Sequence, residues 1–155
     1  MLPHLNYSLL LWGRTYGNIL DNLFKLQKRV IRNICNAHYR CNTAPLFKML
    51  KVLTLSDLYN YQLGIFMYKF HTGALPDTFI DFYSTNAKYH DFNTRNKYSL
   101  SHPYCRTIQS RTQIRGTGVH LWNSLDQDLK NSNTLNSFKS KLKQHLLENS
   151  MNQPH

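Results

Sequence analysis

Acidic residues are scarce in this 155-residue chain: eight Asp and Glu stand against nineteen Lys and Arg, for a formal net charge of +11. That imbalance excludes a surface of evenly mixed charge. A field of several kT is expected to draw in polyanions. Long apolar runs are also missing, and no stretch approaches the roughly 20 residues a membrane-spanning helix needs, which leaves nucleic acid favoured over a bilayer. Cysteine is limited to Cys35, Cys41 and Cys105. This odd count argues against a disulfide framework, and the N-terminus lacks the basic, apolar and small-residue regions of a signal peptide. The expected setting is intracellular and reducing, with nucleus and cytoplasm not distinguished. The chain has no G-x-S-x-G elbow, Walker loop, dinucleotide fingerprint, internal repeat or low-complexity tract, so nucleophilic and nucleotide-hydrolysing chemistry lack a carrier.

What is abundant is aromatic. Ten Tyr and eight Phe contribute to an aromatic content of 13%, well above that of a disordered chain. A domain of this length buries roughly 70% of its unfolded surface, so a real core is expected.

The periodicity is mainly helical. Leu5, Leu9 and Trp12 recur at helical spacing until Gly13, and a helix that begins so close to Met1 without a polar lead-in predicts a natural domain starting further upstream. From Asn18 to about Asn36, Ile19, Leu23, Leu26, Val30 and Ile34 form an apolar stripe widened by Leu20, Phe24 and Ile31. Lys25, Lys28, Arg29 and Arg32 fall at spacings of three and four on the other side. Thr43 before Ala44-Pro45 predicts a capped short helix through Leu46, Phe47 and Leu50. Ser56-Asp57 predicts the start of a longer one, Leu58 to about His71, closed by Gly73. That helix is apolar almost all round, as buried helices are, and Gly64 in its middle offers room for a neighbouring backbone. Another short helix is expected at Asp77 through Phe79, Ile80 and Phe82. The final third returns to helix with Val119, Leu121, Trp122 and Leu125, then a Thr134-capped segment carrying Leu135, Phe138, Leu142 and Leu146, with Lys139, Lys141 and Lys143 outward. Trp122, at helical spacing from Val119 and Leu125, is expected in the core.

Between Ser84 and Gly118 the helical period is lost. The segment mixes Lys88, Arg95, Lys97, Arg106, Arg111 and Arg115 with Tyr89, Phe92, Tyr98 and Tyr104, and short strands or a short β-hairpin are expected around Ser99 to Ile114. Cations interleaved with rings suit single-stranded nucleic acid, where bases stack and phosphates meet Lys or Arg. The same tyrosines also suit packing a loop-rich subdomain onto the helices, and the sequence leaves both readings open. The whole is expected to be a mainly α bundle of about five to seven helices with a loop-rich segment at 84–118.

Three site readings stand beside blander ones. Cys35, His38 and Cys41 form a C-x2-H-x2-C run, and His102 with Cys105 an H-x2-C, enough nitrogen and sulfur in number for a tetrahedral zinc site. But Cys35 and His38 lie at a helix end, C-x2-C pairs are absent, and free cysteine is common in cores, so no metal is expected and these three remain weak candidates. Pro76-Asp77 with Asp91 hints at nuclease spacing, yet no lysine stands two residues after Asp91. Asp77 and Asp81 are explained as acids near a helix N-terminus. The stripe Lys25, Lys28, Arg29, Arg32 is read as a phosphate-contacting face rather than a merely solvated one.

Four groups of strings together resemble the region that follows the polymerase core in non-LTR (LINE-type) retrotransposon reverse transcriptases. Pro3-His4-Leu5-Asn6-Tyr7 with Leu11-Trp12-Gly13 looks like the start of that family's thumb helices. Leu26-Gln27-Lys28-Arg29 with Ile31-Arg32 looks like its next helix. Thr43-Ala44-Pro45-Leu46-Phe47 with Leu53-Thr54-Leu55-Ser56-Asp57-Leu58 is similar to two short helices beyond the thumb. Asn93-Thr94-Arg95, Gly118, Leu121-Trp122-Asn123-Ser124-Leu125 and Phe138-Lys139 resemble the C-terminal block in the same order. Asp126 stands where that family commonly has proline.

The resemblance implies thumb-like helices at 1–42, a helical core at 43–83, a basic loop-rich segment at 84–118 and C-terminal helices at 119–150, in one compact unit. It implies RNA or an RNA–DNA duplex as partner, held by Lys25, Lys28, Arg29, Arg32, Arg95, Lys97, Arg106, Arg111 and Arg115, beside upstream palm and fingers. No membrane is implied. A polymerase clamps two divalent metals between adjacent aspartates and a third acid, and this chain has no adjacent aspartates. Magnesium chemistry would therefore belong to a parent enzyme, and this chain is expected to be non-catalytic with no cofactor of its own. Two alternatives are a truncated, pseudogenic remnant without independent function and a zinc-dependent nucleic-acid-binding module.

Overall fold

The computed structural model describes residues 9–12, 17–89, 94–104, 106–107 and 112–149. Among these the chain is mainly helical: α1 (Leu9–Trp12), α2 (Gly17–Ile34), α3 (Ala44–Met49), α4 (Leu55–His71), α5 (Ile114–Ser124), α6 (Gln127–Lys130) and α7 (Leu135–Asn149), with single 3-10 turns at Asp77–Phe79 and Asn86–Lys88. An all-α bundle was the expected class. Among the described residues, no helix is long and apolar enough to cross a membrane.

Local chemistry sets the helix ends. α2 stops where Asn36 takes a left-handed φ of 49° and the Ala37 N–H donates to the Arg32 carbonyl at 2.9 Å, a closure usually made by Gly and sometimes, as here, by Asn. The cap of α3 differs from the expected one. Thr43 occupies the cap position, but its side chain makes no capping bond, and Asn42 Oδ1 instead accepts the Ala44 N–H at 3.0 Å. α4 also starts earlier than Ser56-Asp57 predicts. Thr54 Oγ1 accepts the Asp57 N–H at 3.2 Å and donates to the Asp57 carboxylate at 2.6 Å, a reciprocal arrangement close to a capping box. Gly73, at φ 67°, closes the helix as expected, and Thr134 caps the start of α7 as expected, its hydroxyl accepting the Ser137 N–H at 3.2 Å.

By its backbone contacts the chain divides into two compact units, one built from residues up to Gln62 and from Lys139 onward, the other Leu63–Phe138. In the first, Leu9, Ile31, Phe47, Leu53, Leu55, Leu58, Tyr59, Leu142 and Leu146 are buried. The Phe24 and Phe47 rings lie 6.3 Å apart. Gln27 pins the start of α4 to α2 by mimicking a backbone edge: its Nε2 donates to the Leu53 carbonyl at 2.9 Å and its Oε1 accepts the Leu55 N–H at 3.0 Å. The apolar stripe of α2 is only partly covered, since Leu26 and Ile34 stay exposed.

In the second unit, Leu63, Met67 and Tyr68 of α4 are buried, with Tyr83, Val119, Trp122, Leu125, Leu129 and Phe138. Tyr68 stacks on Phe138 at 4.4 Å, and its hydroxyl donates to the buried Ser132 carbonyl at 2.6 Å. Trp122 lies 6.2 Å from the Phe138 ring, in the core as its spacing predicts. The short helix expected at 77–82 is a single 3-10 turn, Asp77–Phe79. Its rings hold it through edge-on contacts of Phe79 with Phe66 and Phe82, both at 5.6 Å. Gly118 leaves no room for a side chain: a Cβ there would lie 2.6 Å from Tyr83 Oη and 2.8 Å from Met67 Sδ. The expected hairpin around Ser99 to Ile114 is not formed among the described residues. The backbone pairing there is one antiparallel bridge, Thr85 with Leu100, because residues 84–87 and not 112–114 supply the partner groups.

Candidate nucleic-acid interface

The first candidate surface is the cationic face of α2. At about 100° per residue, Lys25, Lys28, Arg29 and Arg32 fall within an arc of about 100°. The structure divides them into two pairs. Lys25 and Arg29 are exposed, one turn apart and open to a polyanion. Lys28 is half-buried, with Nζ 4.2 Å from the centroid of the Phe24 ring. Arg32 is half-buried too, and its Nε donates to the Cys41 carbonyl at 3.0 Å. These two keep their charge near the surface while also holding the fold.

The second surface belongs to the loop-rich segment. The Asn86 N–H donates to the Ser99 carbonyl at 3.0 Å and the Ala87 N–H to the Lys97 carbonyl at 2.9 Å, and Asn86 Nδ2 donates to the Asn96 carbonyl at 2.9 Å. Those bonds bring the backbone of 85–89 beside that of 95–100, so Lys88 and Tyr89 share one platform with Arg95, Lys97 and Tyr98. α5 anchors it. Asn123 Oδ1 accepts the Leu100 N–H at 3.2 Å, and Asn123 Nδ2 donates to the Leu100 carbonyl at 2.9 Å.

The tyrosines of this platform, and Tyr104 beyond it in the chain, are not packing residues: Tyr89 is 62%, Tyr98 81% and Tyr104 94% exposed. Arg95 and Arg106 are exposed and Lys97 half-buried. Arg115 is exposed but tethered, donating from Nε to the Phe82 carbonyl at 3.1 Å with its guanidinium carbon 5.5 Å from the Phe82 ring centroid. Arg111 and Phe92 lie outside the described residues. Lys88 was not among the residues singled out for contact, although its place in the cation–tyrosine mixture was the available signal.

The weak metal candidates do not converge. Cys35 and Cys41 are free thiols. His38 Nδ1 accepts the Arg40 N–H at 3.3 Å, and Cys41 Sγ donates to the Asn42 carbonyl at 3.5 Å. Cys105 lies outside the described residues, and among the described residues no group of three or more His, Cys, Asp or Glu is placed to hold an ion. The chain matches no family model, no curated protein and no solved structure.

Proposed function

We propose that this chain is a non-catalytic nucleic-acid-binding module, of the kind found after the polymerase core of a non-LTR retrotransposon reverse transcriptase, whose sequence strings it resembles. It grips RNA or an RNA–DNA duplex inside the cell, beside the palm and fingers of its parent enzyme, and leaves magnesium-dependent polymerisation to that enzyme. The observation that carries the reading is the set of exposed rings Tyr89, Tyr98 and Tyr104 interleaved with exposed cations. Rings left in water beside cations suit base stacking with phosphate pairing, whereas rings packing a subdomain would be buried. The net charge of +11 supplies the long-range attraction.

The test is equilibrium binding of single-stranded RNA at low salt by the wild type and by Tyr98→Ala/Tyr104→Ala. Loss of one stacked base costs about 1–3 kcal/mol, so the double variant should bind at least about fivefold more weakly with an unchanged melting temperature. Absence of RNA binding by the wild type refutes the reading. A double variant that binds like the wild type removes the tyrosines from the interface.

A further inference from the structure

The turn between α2 and α3 carries an aromatic residue that stays mostly in solvent. Tyr39 is 66% exposed. The Arg40 guanidinium carbon lies 5.1 Å from its ring centroid, and the His38 ring lies 4.5 Å away, tilted by 45°. The turn around these side chains is fixed. The Cys41 N–H donates to the His38 carbonyl at 2.9 Å, the Arg40 N–H meets His38 Nδ1 at 3.3 Å, and the Arg32 guanidinium holds the Cys41 carbonyl at 3.0 Å. Because Arg32 belongs to the cationic face of α2, that last bond places the turn at the C-terminal end of that face.

We propose that the His38-Tyr39-Arg40 turn is a nucleobase-stacking site for single-stranded nucleic acid. One unpaired base lies on the Tyr39 ring, and the phosphates on either side of it meet Arg40 and the exposed cations of α2. The inference rests on the nucleic-acid reading above and adds a site in the other unit of the chain. A ring held on a fixed turn loses little conformational freedom when a base stacks on it, and every base offers a π face, so the site takes bases without regard to sequence. A duplex hides those faces within its own stack, which makes the ligand a single strand, a loop or an end.

The experiment compares two labelled oligomers of equal length, oligouridylate and its abasic ribose-phosphate counterpart, across a salt series with the wild type, Tyr39→Ala and Tyr39→Trp. Tyr39→Ala should lose roughly 5- to 150-fold in affinity for the base-bearing oligomer. It should bind the abasic one as the wild type does, and keep both its salt slope and its melting temperature. Tyr39→Trp should retain affinity, with its indole fluorescence quenched by oligouridylate. Equal losses on the two oligomers, or none on either, overturn the stacking site while leaving the nucleic-acid reading in place. A wild type that binds neither oligomer overturns both.

Discussion

Replacing Lys25 and Arg29 by glutamine removes the two cations of α2 that face solvent, whereas replacing Lys28 and Arg32 removes two that also hold the fold. The pairs carry the same charge and sit on the same arc, so the structure makes their consequences differ. Each phosphate contact contributes about 0.7 to the log–log salt slope on a single strand and about 0.9 on a duplex. Lys25→Gln/Arg29→Gln should therefore flatten that slope by about 1.4 to 1.8. Between about 50 and 200 mM salt, this variant should lose about 7- to 12-fold less affinity than the wild type does. Its melting temperature should stay within about 2 °C of the wild type, since exposed substitutions usually change stability by less than about 0.5 kcal/mol. Lys28→Gln/Arg32→Gln should flatten the slope by less. It forfeits a cation–π contact and a charged hydrogen bond, together on the order of 2 kcal/mol, and its melting temperature should fall by about 4–8 °C. Fluorescence anisotropy across a salt series, with thermal melts of the same preparations, reads both quantities. Equal slope changes in the two pairs, or no change for Lys25→Gln/Arg29→Gln, refute the assignment of the exposed pair as phosphate contacts.

Two substitutions test the scaffold. Gly118→Ala places a methyl group against the buried Tyr83 hydroxyl, which donates to the Ile114 carbonyl at 3.0 Å, and against the buried Met67 sulfur. Overpacking costs about 1–3 kcal/mol and a weakened hydrogen bond about 1 more, against a helix-propensity gain of about 1, so the net loss is about 1–3 kcal/mol by urea titration. Adding Tyr83→Phe, which removes the oxygen nearest the methyl group, should recover part of it; no recovery means that the collision lies elsewhere. Asp126→Pro should be neutral or stabilising by up to about 1 kcal/mol. Asp126 has φ −63°, the angle proline imposes, and Leu125 before it is extended, as that neighbour requires. The Asp126 side chain makes no capping bond, although its charge opposes the burial that lowers the Lys130 pKa. A loss above about 1 kcal/mol contradicts this account of the turn.

α2 and α7 were legible from a recurring apolar stripe, and α4 from a nearly all-apolar run between a cap candidate and Gly73. Their first residues were less so. Asn42, Thr43, Thr54 and Ser56 are all competent caps, and a shift of one or two residues among them leaves the apolar pattern unchanged. The pairing of 84–87 with 96–101 left no pattern to read, since backbone groups and the Asn86 carboxamide make it. The four-cation stripe was legible as a set. Its division into free and engaged pairs depends on the Phe24 ring and the Cys41 carbonyl, which spacing alone does not reveal. Tyr39 escaped notice because one ring between His38 and Arg40 forms no period, although that juxtaposition was itself the available signal.

Apart from the Arg115 guanidinium on Phe82, the long-range hydrogen bonds described above are neutral, among them the Gln27 carboxamide on Leu53 and Leu55, the Asn123 carboxamide on Leu100, and the Tyr68 hydroxyl on Ser132. Mobile ions screen charges and leave such dipolar contacts almost untouched. On the proposed nucleic-acid reading, electrolyte would therefore loosen the grip on the polyanion while these neutral anchors stay fastened, a release that operates without unfolding.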